Sequence, residues 1–553
     1  MNPSKGTALA VYGPSINPEL AETYRAEGYW SGGHVRDCLR QNVRQWPHMA
    51  ALRCEDRTLT YGQLGTEVAR ACALLSELGV EPGDRLCWQS PNWWETYAIA
   101  LACWELRAVS VPIPPIYRDR ELSAFAREVQ PAAVIVPADY RRHSYCEMWD
   151  DVIASADLER PPARVVLRGR RAGWTSFDDP VPAAHSRDYA RRMAGPESHD
   201  YGEEPCVVLF SSGTTSAPKA VVHNSRSLLS EGRQQARAWS WGCADVSYMA
   251  APLQHVTGIS HALVIPMLVG SSVVLADGWD ADRAAQSMRS AGVTISTGPT
   301  VLLKELTEAC IRQGISALPL KAYGCGGAPI PAKVMDDAVS LGLAVFRQYG
   351  MSEVPTISVM NASYPAGLRT GTDGRVAPGV ELRVESFGDS QGVLWVRAPE
   401  LMMGYLSKED ASSFDDDGWF NTGDIGLVDG DGYVTITGRT KDIINRGGIK
   451  YSAVEIEDLL SRHPLVREVA VVPMKHPRLG ETGCAFVVTS SPGQADRART
   501  LTEFLVGTGI ARQKLPERYV FVDSLPKTPS GKVQKQLLRA EARDAQEPAG
   551  EGG

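Results

Sequence analysis

Apolar positions change their spacing along the chain, and each spacing predicts an element. Leu64, Val68, Ala71, Leu75 and Leu78 recur at three- and four-residue intervals, which is the period of one helix face. Thr60 and Gln63 just before them fit a capping box, and Gly79 just after them fits a helix stop. Elsewhere the apolar runs are short, as at 133–136, 207–210, 272–275 and 344–346, and they alternate with helical stretches. That alternation predicts parallel strands joined by crossover helices. From residue 388 the pattern changes to short strands at 392–397 and 433–437, with the turn signal Asp429-Gly430-Asp431-Gly432 between them, which predicts a small β-rich subdomain. Beyond Lys441, Ser452 and Glu455 fit a second capping box, and 468–473, 485–489 and 518–522 read as strands.

The expected fold class is therefore α/β. A large N-terminal domain over 1–438, of parallel α/β subdomains plus the β-rich one, precedes a small α+β C-terminal domain over 439–540. Residues 541–553 are charged and rich in Gly and Ala, and are expected to form a disordered tail. At 553 residues the chain is longer than one hydrophobic core usually organises, in keeping with this division.

Composition narrows the class. Hydrophobic residues make up 43% and charged residues 22%, as in an ordinary globular protein. A formal charge of -8 argues against a nucleic-acid or anionic-membrane partner, although a local basic patch fits within it. The 11 cysteines show no CxxC spacing, so neither a metal site nor a disulfide framework is expected, and reduced thiols in a cytoplasmic protein account for them. The most membrane-like stretch, 262–276, is short and interrupted by Pro266 and Gly270; it predicts a buried helix-turn-strand and no stable membrane insertion. Residues 1–14 lack a basic segment followed by an apolar one, so no secretory signal is expected.

The densest candidate chemistry is Ser211-Ser212-Gly213-Thr214-Thr215-Ser216-Ala217-Pro218-Lys219, directly after an apolar run. Small residues let backbone N–H groups approach an oxyanion, hydroxyls add donors and the lysine adds charge. The loop lacks the second glycine and the Gly-Lys-Ser/Thr of a Walker motif. Alone it reads equally as a polar surface loop. Five more segments decide: Gly324-Cys325-Gly326-Gly327-Ala328-Pro329, Tyr349-Gly350-Met351-Ser352-Glu353, Gly418-Trp419-Phe420-Asn421-Thr422-Gly423-Asp424, Gly438-Arg439-Thr440-Lys441-Asp442 and Pro526-Lys527-Thr528-Pro529-Ser530-Gly531-Lys532.

In this order and spacing the six segments resemble the acyl-adenylating superfamily of acyl-CoA synthetases, peptide-synthetase adenylation domains and luciferases. The resemblance spans nearly the whole chain. It implies that a carboxylic acid attacks the α-phosphate of ATP, that pyrophosphate leaves, and that the acyl-adenylate passes to a thiol. By resemblance, Ser212, Gly213, Thr214, Thr215 and Lys219 would hold the β- and γ-phosphates, and Glu353, with Thr214, would hold Mg²⁺. Ser352 would contact the α-phosphate, where the family more often has threonine. Gly327, Ala328 and Pro329 would wall one side of adenine and Tyr349 would stack on the other. Asp424 would accept from the ribose hydroxyls and Arg439 would donate to ribose or phosphate. Lys532 would bridge carboxylate and α-phosphate. The small domain would then rotate about Lys441 to bring Gly447 and Gly448 toward the adenylate, with CoA as acceptor. Taken singly, Asp424 with Gly423 reads equally as a turn, Tyr349 as a core aromatic and Glu353 as a solvated charge.

His255 resembles the family histidine bordering the acyl pocket, which Thr257, Gly258, Gly324, Cys325 and the loop 296–301 are expected to line. Their small side chains are expected to leave room for a ring or a medium chain. Val256 stands where relatives that activate dihydroxybenzoate carry asparagine. Val111-Pro112-Ile113-Pro114-Pro115-Ile116-Tyr117-Arg118 and Gly28-Tyr29-Trp30 resemble the alicyclic and medium-chain acyl-CoA ligase branch. Ser216 and Ala220 replace glycines of the family loop, a change expected to stiffen it. The leading expectation is an acid–CoA ligase acting on an alicyclic, aryl or medium-chain acid, as a monomer or homodimer. The alternative is an adenylating enzyme of a natural-product pathway, passing its acid, nitrous acid included, to an amine or a carrier-protein thiol. A luciferase-like oxidation or a regulator without turnover stands third.

Overall fold

A computed structural model describes residues 9–14, 16–55, 57–195, 202–211, 218–326, 332–386, 391–447, 449–490, 496–527 and 533–544. Two large sheets carry the N-terminal part. In the first, Arg85–Trp88, Val109–Pro112, Ala133–Pro137, Ala163–Leu167 and Pro205–Phe210 run parallel. In the second, Ala50–Arg53, Val246–Met249, Ser272–Leu275, Ile295–Gly298, Ala322–Cys325 and Val345–Arg347 run parallel. All five residues of Ala133–Pro137 are buried, which is why these strands read as continuous apolar runs rather than alternations.

One core takes side chains from both sheets, with Leu86 and Leu209 from the first and Val273 and Leu275 from the second. The helix Trp94–Glu105 in that core is buried at every position and has no polar face for solvent. The helix Tyr61–Glu77 opens with the expected capping box, since Thr60 Oγ1 accepts from the Gln63 N–H at 3.3 Å and Gln63 Oε1 accepts from the Thr60 N–H at 2.9 Å.

The stretch 262–276 is the buried helix-turn-strand that was expected, with one feature the spacing did not announce. A π-helical turn, Ile259–Val264, precedes the short helix Ile265–Val269 and the strand Ser272–Leu275. Gly270 makes the turn with φ +73°, and a Cβ there would lie 2.1 Å from the Trp46 ring. Among the described residues no helix is long and apolar enough to cross a membrane.

The β-rich subdomain is an antiparallel sheet of Glu381–Ser386, Gly392–Arg397, Phe420–Val428 and Val434–Arg439, and so begins ahead of residue 388. The last part of the chain has cores of its own. Ile444, Ile456, Val471 and Leu501 form one, and Phe486, Val472, Leu538 and Ala542 form the other. They flank a sheet in which Val466–His476 and Gly480–Thr489 pair antiparallel, with Ile443–Arg446 and Arg518–Phe521 added to Gly480–Thr489.

Two local readings differ there. The helix Lys535–Asp544 extends four residues beyond 540 because Leu538 and Ala542 bury against the sheet. Ser452 caps the helix Ala453–Leu460 by accepting from the Val454 N–H at 3.2 Å, but Glu455 does not return the cap: its carboxylate is held by Lys514 Nζ at 2.8 Å. A charged partner within reach outcompetes a backbone N–H. Ser452 Oγ also donates to the Thr437 carbonyl at 2.6 Å, on the other side of Lys441.

Candidate active site

The apolar run 205–210 and the segment after Lys219 form an antiparallel hairpin, Pro205–Phe210 with Ala220–Asn224. It closes where the Ser211 N–H donates to the Lys219 carbonyl at 2.9 Å. Ser212, Gly213, Thr214 and Thr215 lie outside the described residues, but both ends of their loop are fixed by this pairing. Lys219 Nζ lies 3.0 Å from Asp410 Oδ1 and 4.8 Å from the centre of the Tyr405 ring. The Tyr405 hydroxyl donates to Glu353 Oε1 at 3.0 Å. Burial pushes the Glu353 carboxyl up, opposed by its hydrogen bonds and by the charges of Lys219 and Arg439. Lysine and glutamate, 134 positions apart, are thus joined through Tyr405, which the sequence did not single out.

His223 ties this hairpin to the segment that carries Ser352. Its Nε2 donates to the Ser352 carbonyl at 2.7 Å, and its Nδ1 lies 3.0 Å from Ser227 Oγ. Burial pushes the imidazole down to about 4, so it is neutral at pH 7. The two partners fix which nitrogen carries the proton.

Strand pairing sets Asp424 opposite Arg439. Asp424 is 2% exposed. Its Oδ2 accepts from the Tyr349 hydroxyl at 2.8 Å. Arg439 Nε lies 2.7 Å from Oδ1, but its N–H is not directed at that oxygen, and Oδ1 has no hydrogen bond among the described residues. A buried carboxylate held by an arginine and a tyrosine still has acceptor capacity to offer a ligand hydroxyl. Lys441 completes the group: burial, then the charges of Lys219, Arg439 and Arg539, hold its ammonium below its ordinary value. The cations crowd one another, and an incoming polyphosphate relieves that repulsion.

Two family models match the chain: that of the AMP-binding enzyme over residues 39–406 and that of the AMP-binding enzyme C-terminal domain over 455–532. The chain belongs to the AMP-binding enzyme family. It is 31% identical to the medium-chain fatty-acid–CoA ligase of Escherichia coli (strain K12), over 95% of this chain and 93% of that protein. Among solved structures, ATP-bound MatB from Rhodopseudomonas palustris matches with a TM-score of 0.79 and 26% identity, over 92% of this chain and 99% of that one. The amide bond synthetase McbA from Marinactinospora thermotolerans matches with a TM-score of 0.78 and 25% identity, over 92% of this chain and 100% of that one.

For an AMP-binding enzyme the donor set fits a magnesium nucleotide. Glu353 offers the oxygen ligand that Mg²⁺ takes, and the cation ordinarily completes its shell from substrate phosphates. Among the described residues no group of three or more His, Cys, Asp or Glu could hold a metal ion alone. Gly327, Ala328 and Pro329, expected beside adenine, lie outside the described residues.

The acid side is arranged differently from expectation. His255 is half-buried at the start of the helical turn Val256–Gly258, next to Thr257. A Cβ on Gly258 would lie 2.5 Å from the Pro252 carbonyl oxygen and from Leu253 Cα, so this glycine serves a tight turn. Gly324 and Cys325 are consecutive in Ala322–Cys325 and face opposite sides of the sheet. Cys325 packs with Leu303, Met335 and Tyr323. The room expected beside Gly324 is taken by Trp239, whose ring carbons lie 2.6 Å from where a Cβ would stand.

In the small domain, Gly447 turns with φ +60° and its N–H donates to the Leu479 carbonyl at 2.7 Å. Gly448 and Lys532 lie outside the described residues. The Lys527–Val533 bridge and the Gln534 N–H, donating to the Pro526 carbonyl at 2.8 Å, draw together the ends of the segment carrying Lys532. Arg446 pairs with Glu517 and donates to the Gln513 carbonyl at 3.2 Å. Beside it a groove of about 650 Å³ is lined by Asn445, Lys475, His476, Pro477, Gly480 and Glu481. Sequence reading missed His223, Tyr405, Asp410 and Trp239. One signal was available: Ser227, Glu231, Gln235 and Trp239 recur every four residues just after the loop, which is one face of a helix.

Proposed function

We propose that this enzyme is an ATP-dependent carboxylic acid–CoA ligase that works through an acyl-adenylate. The observation that carries the reading is buried Asp424, bonded to Tyr349 and ion-paired with Arg439 near the Lys219–Tyr405–Glu353 chain. An acid oxygen bonds to the α-phosphorus, the α–β bridging bond breaks and pyrophosphate leaves. The acceptor sulfur then bonds to the acyl carbon and AMP leaves. Mg²⁺, when bound, neutralises phosphate charge. Lys219, Arg439 and Lys441 orient the nucleotide, Asp424 holds the ribose, and Lys532 neutralises the meeting of two anions. The small domain turns about Lys441, and Gly447 and Gly448 then admit a thin pantetheine chain close to backbone. The acid belongs to the aryl, alicyclic or medium-chain class. His255 and Thr257 border it.

A second reading, transfer to a carrier-protein thiol or an amine, draws support from the acceptor face. Arg446 and His476 both face Glu517, and Lys475 and Glu481 line the same groove, so carboxylates sit beside the cations that a nucleotide-bearing acceptor would need. Pyrophosphate release with Mg-ATP over a panel of acids, nitrite included, with and without CoA, tests both. Acid-dependent release accelerated by CoA, with acyl-CoA seen by mass spectrometry, supports the ligase; release indifferent to CoA moves the assignment to the second reading. No release with any acid overturns both.

A further inference from the structure

The helix Ser225–Ala238 presents Ser227, Glu231 and Gln235 on one face and ends on Trp239. The first three levels of this face are hydrogen-bonded to His223, to the turn after His255 and to residues flanking the 349–353 segment. Ser227 meets His223. Glu231 accepts from Ser260 Oγ at 2.5 Å and from Thr356 Oγ1 at 3.2 Å. Gln235 Nε2 donates to Gln348 Oε1 at 3.0 Å.

At the last level the pairing stops. Gln235 Oε1, Trp239 Nε1 and both ring nitrogens of His261 have no hydrogen-bond partner among the described residues. Gln235 is 0% exposed, Trp239 3% and His261 5%. These groups are neighbours: the Trp239 and His261 rings lie 5.3 Å apart, and the missing Cβ of Gly324 faces both Trp239 and the Gln348 amide. His261 sits on the π-helical turn, an irregularity that favours functional positions. Burial pushes its imidazole down to about 4, and the Thr257 carbonyl lies near it without a well-directed hydrogen bond. An N–H donor, an amide oxygen and a neutral imidazole are thus left unpaired together, a state that costs stability unless a ligand meets them.

We infer, resting on the ligase reading, that the acid this enzyme activates is compact and carries a neutral hydrogen-bonding group, a hydroxyl, keto or amide, remote from its carboxylate, and that Trp239, His261 and Gln235 read that group. An alkyl chain leaves all three unmet, and Trp239 closes the space over Gly324 that a long chain would need. A second carboxylate would meet aromatic rings here, since Trp241 packs on both Trp239 and His261 and Phe346 packs on Trp239.

The test compares acids of matched size on the full chain by pyrophosphate release: 3- and 4-hydroxybenzoate against 3- and 4-methylbenzoate, 4-hydroxycyclohexanecarboxylate against its 4-methyl counterpart, and octanoate. The expected kcat/KM for the best hydroxy acid exceeds that of its methyl partner by about 100-fold or more, because unpaired buried groups reject an analogue lacking the polar atom. Trp239→Phe, which keeps the ring and removes the N–H, lowers that ratio about tenfold, the loss of one hydrogen bond. His261→Phe lowers it in the same sense and stands in should the first variant fail to fold. Equal rates for hydroxy and methyl partners, or a ratio that neither variant moves, overturns the inference and leaves the ligase reading standing. Absence of release with every acid removes both.

Discussion

His223 Nε2 donates to the backbone carbonyl of Ser352 at 2.7 Å, across 129 positions of sequence. The strand that follows the phosphate loop is thereby fixed to the segment carrying Ser352 and Glu353. His223→Ala leaves the Ser352 carbonyl without its imidazole partner in a buried place, while Ser227 Oγ keeps the Asn224 carbonyl at 3.0 Å. The expected outcome is a fall of about tenfold in kcat/KM for ATP, the size of one buried hydrogen bond. Acid-dependent pyrophosphate exchange measures it. An unchanged value would show that the two segments hold their places without the bond.

Asp424→Asn keeps the shape of the side chain and removes the charge that faces Arg439. The KM for ATP is expected to rise about 10- to 100-fold, in line with the loss of a charge-assisted hydrogen bond. Calorimetric titration with AMP reports the same change without turnover. Wild-type affinity for AMP would remove Asp424 from the nucleoside site.

Lys532→Ala is expected to lower acid-dependent pyrophosphate release by about 100-fold or more, the scale of a lost electrostatic contact in a transition state. ATP binding by the same variant is expected to stay near wild type, because the proposed function assigns the nucleotide to Lys219, Asp424 and Arg439. Adenylate formation at the normal rate would defeat the assignment of Lys532.

Glu400 lies fully buried, with Gln234 Nε2 donating to one oxygen at 2.9 Å. Burial, and then the nearby charge of Glu231, push its carboxyl up to about 8, and burial pushes Glu231 up to about 7. The folded chain therefore holds protons that the unfolded chain releases near pH 4.5, so stability falls as pH rises from about 4.5 to about 8. Glu400→Gln removes part of that fall. Its melting temperature is expected to exceed wild type at pH 8 by about 1–2 °C, roughly 1–2 kcal/mol for a chain of this size, with the difference closing by pH 5. A gap that is the same at both pH values would show that Glu400 is not the titrating group.

Most of the architecture was legible because its signals are local. Thr60 and Gln63 make the capping box that their spacing announces, and 133–136 and 272–275 are strands because a parallel sheet buried on both faces writes itself as an unbroken apolar run. Within the site, Asp424 and Arg439 were legible as motif residues, and strand pairing then set them opposite each other. Tyr405 was not, because a tyrosine that reaches Glu353 from a two-residue strand has no local mark. Glu455 misled because a capping box depends on what else lies near, here Lys514. Gly324 suggested space, but a glycine records only that something comes close. Whether that neighbour is substrate or Trp239 depends on a helix about 90 positions earlier.

Ser452 bonds across Lys441 to Thr437, and Gly438 lies so close that a Cβ there would be 2.4 Å from the Ser452 hydroxyl. In the proposed swing of the small domain about Lys441 that bond breaks, and it re-forms on return. The bond, worth about 1 kcal/mol, tilts that swing toward the orientation seen here, so the joint is biased rather than free.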